Sequence, residues 1–187
     1  MMPVEEGRNS LACAPTQIVG RNRMMRQFVA SAIRSDPAYN NGEYTSPPVM
    51  GLRAALEMLF MMQSVPLQQH KQYPTRDAAD SAADAWMRQR LTTTDANDFL
   101  FQYEASRDYD PSGKLESITA PVLAINSADD QVNPPELGNV EQLMKRVKNG
   151  RFVLIPISDK TRGHGTHSLP AVWGNYLGEF LERLTYR

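Results

Sequence analysis

Two short apolar runs stand out in the last third of the chain, PVLAINS at 121–127 and RFVLIPI at 151–157. Apolar side chains at successive positions, several of them β-branched and with little polar alternation, are what a strand covered on both faces requires. Between the runs, Asn133 precedes Pro134 and Pro135, and Leu137, Val140, Leu143, Met144 and Val147 recur at helical spacing ahead of Gly150. That pattern predicts an N-capped amphipathic helix stopped by glycine, and hence a strand–helix–strand unit with parallel strands. A polar, glycine-bearing loop (SDKTRGHGTH) then leads to a terminal helix with Ser168 as its cap and Pro170 in its first turn. Leu169, Val172, Trp173, Tyr176, Leu177, Phe180, Leu181 and Leu184 form one continuous apolar face on that helix, which is most economically buried against the sheet.

The stretch 16–111 has a different texture: helical periodicity separated by breakers, with little strand signal. Ile18, Met25, Phe28, Val29 and Ile33 predict a helix ended by Asp36-Pro37. A second is predicted over 48–64, an alanine-rich third over 75–90, and a fourth after Thr94. Ahead of them SLACAP, at 10–15, reads as one more short strand. The expected organisation is a segment 1–15 with the first strand, a helical region 16–111, and a closing βαβα part over 112–187 in an α/β fold.

Composition narrows the partners. Hydrophobic residues make up 41 % of the 187 and charged residues 22 %, which excludes a disordered or fibrous chain. The formal net charge of -1 leaves no basic excess for a phosphate backbone, so nucleic acid is not an expected partner. No apolar run is long enough to cross a bilayer, and MMPVEEGRNS lacks the features of a signal peptide. A soluble, cytoplasmic protein without a membrane partner is the expectation. Cys13 is the single cysteine, so no internal disulfide or cysteine metal site is available. Its apolar setting, LACAP, predicts a buried structural thiol.

The candidate chemistry lies in the two loops that follow the predicted parallel strands, because ligands of open α/β sheets bind beyond the carboxyl ends of the strands. The first loop offers Asp129 and Asp130, and the second offers His164 and His167, two of the three histidines in the chain. An acid after one strand and a histidine after the next can meet at the sheet edge, the carboxylate fixing the imidazole tautomer so that the ring serves as a base. The structural alternative is a helix-capping aspartate beside solvated histidines. A metal reading, with His164, His167 and Asp130 as ligands, lacks a further His or Cys to complete it.

These residues resemble the α/β-hydrolase fold. PVLAINSADDQVNPPE is similar to its acid-bearing strand and loop, in which an Asp is followed four residues later by Pro, here Asp130 and Pro134. RGHGTH is similar to its Gly-His, placing the histidine at His164 and leaving His167 beside it. The helical stretch resembles the lid of the homoserine O-acetyltransferase branch: Ala32-Ile33 before Asp36-Pro37, Gly42, Tyr44, Gly51-Leu52, and DANDFL ahead of Arg107-Asp108-Tyr109-Asp110. The resemblance implies the C-terminal part of an α/β-hydrolase fold, about three parallel strands with flanking helices, carrying a helical lid insertion. It further implies acyl transfer or hydrolysis through a Ser–Asp–His triad, with catalytic Asp130 and His164, a small-molecule acyl substrate (an acyl-CoA or ester) and no cofactor or metal. The protein partners it implies are a second copy or an N-terminal portion outside the sequence.

One departure is as informative. The nucleophile of this fold sits on a G-x-S-x-G elbow, and the sequence contains neither that motif nor a cysteine variant. SLACAP corresponds to the strand after the elbow, so Asp130 and His164 are expected to lack their serine, and the chain alone to be inactive. An open sheet edge is then expected to make it marginally stable or partner-dependent. Two other readings stand beside this one: a non-catalytic binding module, and a hydrolase using Ser127 or Cys13 as an unconventional nucleophile. Asp129 is expected to be the solvated neighbour of Asp130. Met50, Met58, Met61 and Met62 are expected to pack in the core or lid rather than line an acyl pocket. Tyr44 and Arg53 are the candidate substrate-binding residues, with plain surface roles as the alternative.

Overall fold

The computed structural model describes residues 8–185. The first residues of the expected N-terminal segment, 1–7, lie outside them. The chain divides into two compact units. One gathers the chain up to Gln17, Gln63–Val65 and the chain from Asp110 onward; the other comprises Ile18–Met62 and Pro66–Tyr109.

The first unit is built on a parallel sheet in the order β1-β2-β3: β1 Arg8–Leu11, β2 Val122–Ser127 and β3 Gly150–Ile155. β2 is central, and the alternation of its side chains between two covered faces explains why positions 122–125 are apolar in succession. Leu123 and Ile125 point to one face, where they pack with Ile155 and Phe180 and are covered by Val172, Trp173, Tyr176 and Leu177 of the terminal helix. Val122 and Ala124 serve the other face, packed with Leu115, Val140, Met144 and Val147. Leu123 is fully buried, a gain of about 1.5–3 kcal/mol for a side chain of this size.

Several expectations are corrected here. β1 runs over RNSL rather than SLACAP, because Ala12 turns into the left-handed region at φ 50° and ends the strand. That turn carries Cys13 out to solvent, its thiol donating to the Leu11 carbonyl, so the buried-thiol expectation fails. The single crossover helix is instead a 3-10 turn, Pro135–Leu137, and a short helix, Asn139–Met144, separated by Gly138 at φ 64°. The break leaves Leu137 64 % exposed, and Gly150 opens β3 instead of capping a helix. The terminal helix, Pro170–Thr185, follows a 3-10 turn over Gly165–Ser168, and Leu181 on its expected apolar face is half exposed.

The second unit is helical. In chain order its helices are α1 Gly20–Ser35, α2 Val49–Gln63, α3 Pro66–Gln72, α4 Arg76–Thr93 and α5 Ala96–Glu104; Gln63 at the end of α2 belongs to the sheet unit. The helices of the first unit are therefore α6 Asn139–Met144 and α7 Pro170–Thr185. α3 escapes the sequence reading because PLQQHKQ has no apolar period. Thr75 and Asp95 cap α4 and α5, each side chain accepting the free N–H groups of its first turn.

α1 buries Met25, Val29, Ala30 and Ile33, whereas Phe28, expected on the same face, is more than half exposed. The stripe 25–29–33 advances by four residues per step, and Phe28 lies about 100° round the helix from Val29 at its centre. α1 and α5 are fastened by Arg34, whose guanidinium donates to both Glu104 oxygens at 3.0 and 2.7 Å, and by Arg26, which lies 5.2 Å over the Tyr103 ring. Burial pushes the Tyr103 hydroxyl up to about 12. Of the four methionines expected to pack, Met62 is buried, but Met50 and Met61 are more than 70 % exposed.

Asp36 organises the α1–α2 junction. One of its oxygens accepts the Ala38 N–H at 2.9 Å and the other the Gly51 N–H at 2.8 Å. Gly51 permits this approach: a Cβ there would lie 2.5 Å from the Ala32 carbonyl oxygen and 3.0 Å from Ile33 Cα. Gly51→Ala therefore forces backbone apart and is expected to cost about 1–3 kcal/mol, seen as a lowered helical melting temperature; an unchanged melt would contradict the packing described.

The Gly51 and Ala38 N–H groups hold the Asp36 carboxyl below its ordinary value of 3.8, and the Tyr44 hydroxyl followed by the Asp98 N–H does the same for Asp95. A carboxylate depressed on folding stabilises fully above its unfolded value, and the contribution is lost as pH falls through the folded one. The helical unit is thus expected to lose stability below pH ~4. Circular-dichroism melts of Asp36→Asn should show a shallower acid dependence than the parent chain; an identical slope would remove Asp36 from the account.

Candidate active site

The loop after β2 is shaped by Asp130, which is fully buried. One of its oxygens accepts the backbone N–H groups of Val132 at 2.8 Å and Asn133 at 3.1 Å, a turn made by the aspartate itself. The second oxygen is left for another partner. Asn126 and Asn133 lace the loop in place: Asn126 Nδ2 donates to the Asn133 carbonyl, and Asn133 Nδ2 donates to the Ala12 carbonyl at the end of β1. Asn133, expected to cap a helix, is spent on this lacing.

The loop after β3 folds back through a tight turn. Arg162 N–H donates to Thr166 Oγ1 at 2.8 Å and Thr166 N–H to the Gly163 carbonyl at 3.0 Å. Gly163 adopts φ 56°, and a Cβ there would come within 2.5 Å of Val65 Cγ2 and 3.0 Å of the Asp129 carbonyl oxygen. This turn presents His164, whose Nδ1 lies 3.1 Å from the free Asp130 oxygen.

A carboxylate can only accept, so Nδ1 carries the hydrogen and Nε2 is the basic nitrogen of the neutral ring. The His164 side chain is 20 % exposed while that of Asp130 is 0 %: the acid is sealed and the base is reachable. Acid and histidine from successive parallel strands thus meet at the carboxyl edge of the sheet. A small space lined by Ala12, Asn126, Ser127, Thr166, His167 and Trp173 among others, but not by Asp130 or His164, is about 10 Å³, enough for a water and not for an acyl substrate.

The other candidates are distributed differently. His167 is exposed, its Nδ1 against the His164 carbonyl and its ring edge-on to that of His164 at 5.2 Å. Among the described residues no group of three or more His, Cys, Asp or Glu side chains is placed to hold a metal. Asp129, expected to be solvated, is buried: Ser127 donates its hydroxyl to one oxygen and Thr161 to the other at 2.8 Å. Sequence reasoning marked neither Thr161 nor this contact; the only signal is a threonine three residues ahead of the histidine. The Ser127 hydroxyl is committed in that contact and is 3 % exposed as a residue.

Tyr44 and Arg53 belong to the helical unit. The Tyr44 hydroxyl donates to Asp95 and accepts the Asn97 N–H at 3.2 Å, and burial raises its pKa. Arg53 is half-buried in a cleft of about 250 Å³ between α2 and α4, with Glu57, Phe60, Asp84, Trp86 and Met87.

The fold is that of known α/β hydrolases. A homoserine O-acetyltransferase from Bacillus anthracis superimposes with a TM-score of 0.79 at 20 % identity, over 94 % of this chain and 53 % of that one. A crystallised esterase gives 0.76 at 20 % identity over 94 % and 54 %, and a homoserine O-acetyltransferase from Staphylococcus aureus gives 0.72 at 18 % over 95 % and 51 %. No protein-family profile matches the sequence, and no curated protein matches it by sequence. The chain has the α/β-hydrolase fold and fits a C-terminal portion of it, spanning about half the length of the structures it resembles. No helix among the described residues is long and apolar enough to cross a membrane.

Proposed function

We propose that this chain supplies the acid and the base of a Ser–His–Asp triad in an acyltransferase or carboxylic-ester hydrolase of the homoserine O-acetyltransferase type. The observation that carries this reading is the hydrogen bond from His164 Nδ1 to the buried Asp130, between loops that leave adjacent parallel strands. With Nδ1–H held by Asp130, His164 Nε2 takes the proton of a serine hydroxyl as its oxygen attacks the acyl carbonyl. The ester or thioester bond then breaks, the leaving group receives that proton from Nε2, and the acyl-serine passes its acyl group to an alcohol or to water, whose proton Nε2 takes and returns to the departing serine oxygen.

The serine is the part this sequence does not contain, since it has no G-x-S-x-G. The chain alone is therefore inactive in acyl-enzyme chemistry, and the elbow belongs to a segment outside these residues. The helical unit corresponds to the lid of that enzyme type. Arg53 is the better substrate contact within it, because the Tyr44 hydroxyl is already engaged with Asp95 and Asn97. No cofactor takes part, and the substrate is a small acyl-CoA or ester.

A fluorophosphonate, which bonds covalently to an activated serine, tests this reading. The isolated chain is expected to remain unlabelled, and the elbow serine to be labelled once an elbow-bearing segment is joined to it or added. Stoichiometric labelling of the isolated chain at Ser127 would overturn the assignment.

A further inference from the structure

We infer that Asp129 is a positioning residue: by receiving the hydroxyls of Ser127 and Thr161 it ties the loop after β2 to the loop after β3 and so keeps the His164 ring on Asp130. Its functional meaning rests on the reading of Asp130 and His164 as acid and base; the contact itself does not.

Thr161 is fully buried and Asp129 is 4 % exposed, so the bond between them at 2.8 Å is shielded from competing water. Thr161 Oγ1 has one hydrogen and two acceptors within reach, Asp129 Oδ2 and the Ser158 carbonyl at 2.9 Å. The carboxylate is the stronger acceptor and takes it, while the Ser158 N–H donates to Thr161 Oγ1 at 3.1 Å. Ser127, the last residue of β2, fixes the other Asp129 oxygen, so the clamp is anchored in the sheet.

The turn that carries His164 is closed on itself by the Arg162–Thr166 and Thr166–Gly163 bonds. Thr161 stands at its entrance. Its attachments to the acid loop include the Thr161–Asp129 bond, the close backbone approach of Gly163 to the Asp129 carbonyl, and the His164–Asp130 bond itself. Since Asp129 adjoins Asp130 in the chain, a hold on Asp129 sets the distance between both members of the pair. A clamp that served stability alone would leave the imidazole unchanged when cut, whereas a positioning clamp would release it.

The test is ¹⁵N NMR of the imidazole nitrogens in the 187-residue chain at a pH where the rings are neutral, with the His164 signals identified by their loss in His164→Gln. The parent chain is expected to show His164 as the Nδ1–H tautomer. Thr161→Val, which keeps the shape and removes the hydroxyl, is expected to give a mixture of tautomers and at least tenfold faster exchange of the Nδ1 hydrogen. Thr161→Ser is expected to restore the parent spectrum. Asp129→Asn is the second variant, for use if Thr161→Val does not fold, and is expected to move the tautomer in the same direction. A folded Thr161→Val or Asp129→Asn that keeps His164 wholly as Nδ1–H overturns the inference. The underlying pair has its own control: if Asp130→Asn leaves the His164 tautomer unchanged, the acid–base reading falls, whatever the clamp does.

Discussion

On the proposed triad, Asp130→Asn is expected to lower acyl transfer by about 10⁴-fold in a chain supplied with an elbow-bearing segment, with a denaturation midpoint close to that of the parent. The reason lies in how the two carboxylate oxygens divide their work. One supports the turn by accepting the Val132 and Asn133 N–H groups, and an asparagine carbonyl can continue to do that. The other faces His164 Nδ1, where an amide NH₂ would replace an acceptor by a donor. The imidazole must then accept at Nδ1 and carry its hydrogen on Nε2, the tautomer that cannot receive a proton from serine. His164→Ala removes the base altogether and is expected to cost about 10²–10⁴ or more in turnover with the same substrate. Steady-state hydrolysis of p-nitrophenyl acetate reads both; a folded Asp130→Asn retaining more than a tenth of parent activity would contradict the assigned geometry.

Gly163→Ala has the largest expected effect on stability in the sheet unit. At φ 56° an alanine costs about 1–2 kcal/mol, and its Cβ would stand 2.5 Å from Val65 Cγ2, an overlap that adds about 1–3 kcal/mol. Val65 is buried and cannot swing away freely. The expected loss is therefore about 2–5 kcal/mol, read as a lower urea midpoint. Gly165→Ala is the internal control, because a Cβ there meets only Arg162 Cβ at 3.7 Å. Equal losses at both positions would show that the turn is not held by the contact at Gly163.

Much of the sheet was legible because burial on two faces leaves a direct trace. The run at 122–125 is apolar on both alternations, and the face of Val172, Trp173, Tyr176, Leu177 and Phe180 has a single period that only one packing surface satisfies. Position after a parallel strand marked Asp129, Asp130, His164 and His167, the resemblance to the α/β-hydrolase fold singled out Asp130 and His164, and the structure brings these two within hydrogen-bond distance.

What escaped the sequence depends on backbone conformation or on partners far away in the chain. Gly138 sits inside a periodic apolar pattern, and nothing in that period shows that it turns left-handed and cuts the crossover helix in two. Asp129 resembles any loop acid until Thr161, 32 residues later, is folded against it. Cys13 reads as apolar core among alanines, yet the turn at Ala12 delivers it to solvent. Phe28 shows the limit of counting apolar residues on a helix: its neighbour Val29, one position on, carries the buried stripe.

The measurement that bears most directly on the central claim is ester turnover by three preparations: this chain alone, the chain with an elbow-bearing segment in frame or added, and the latter with His164→Ala. No saturable turnover is expected from the first, turnover with an acyl-enzyme burst from the second, and a fall of about 10²–10⁴-fold or more in the third. Turnover in the second preparation that survives His164→Ala, or saturable turnover by the chain alone, would contradict that claim.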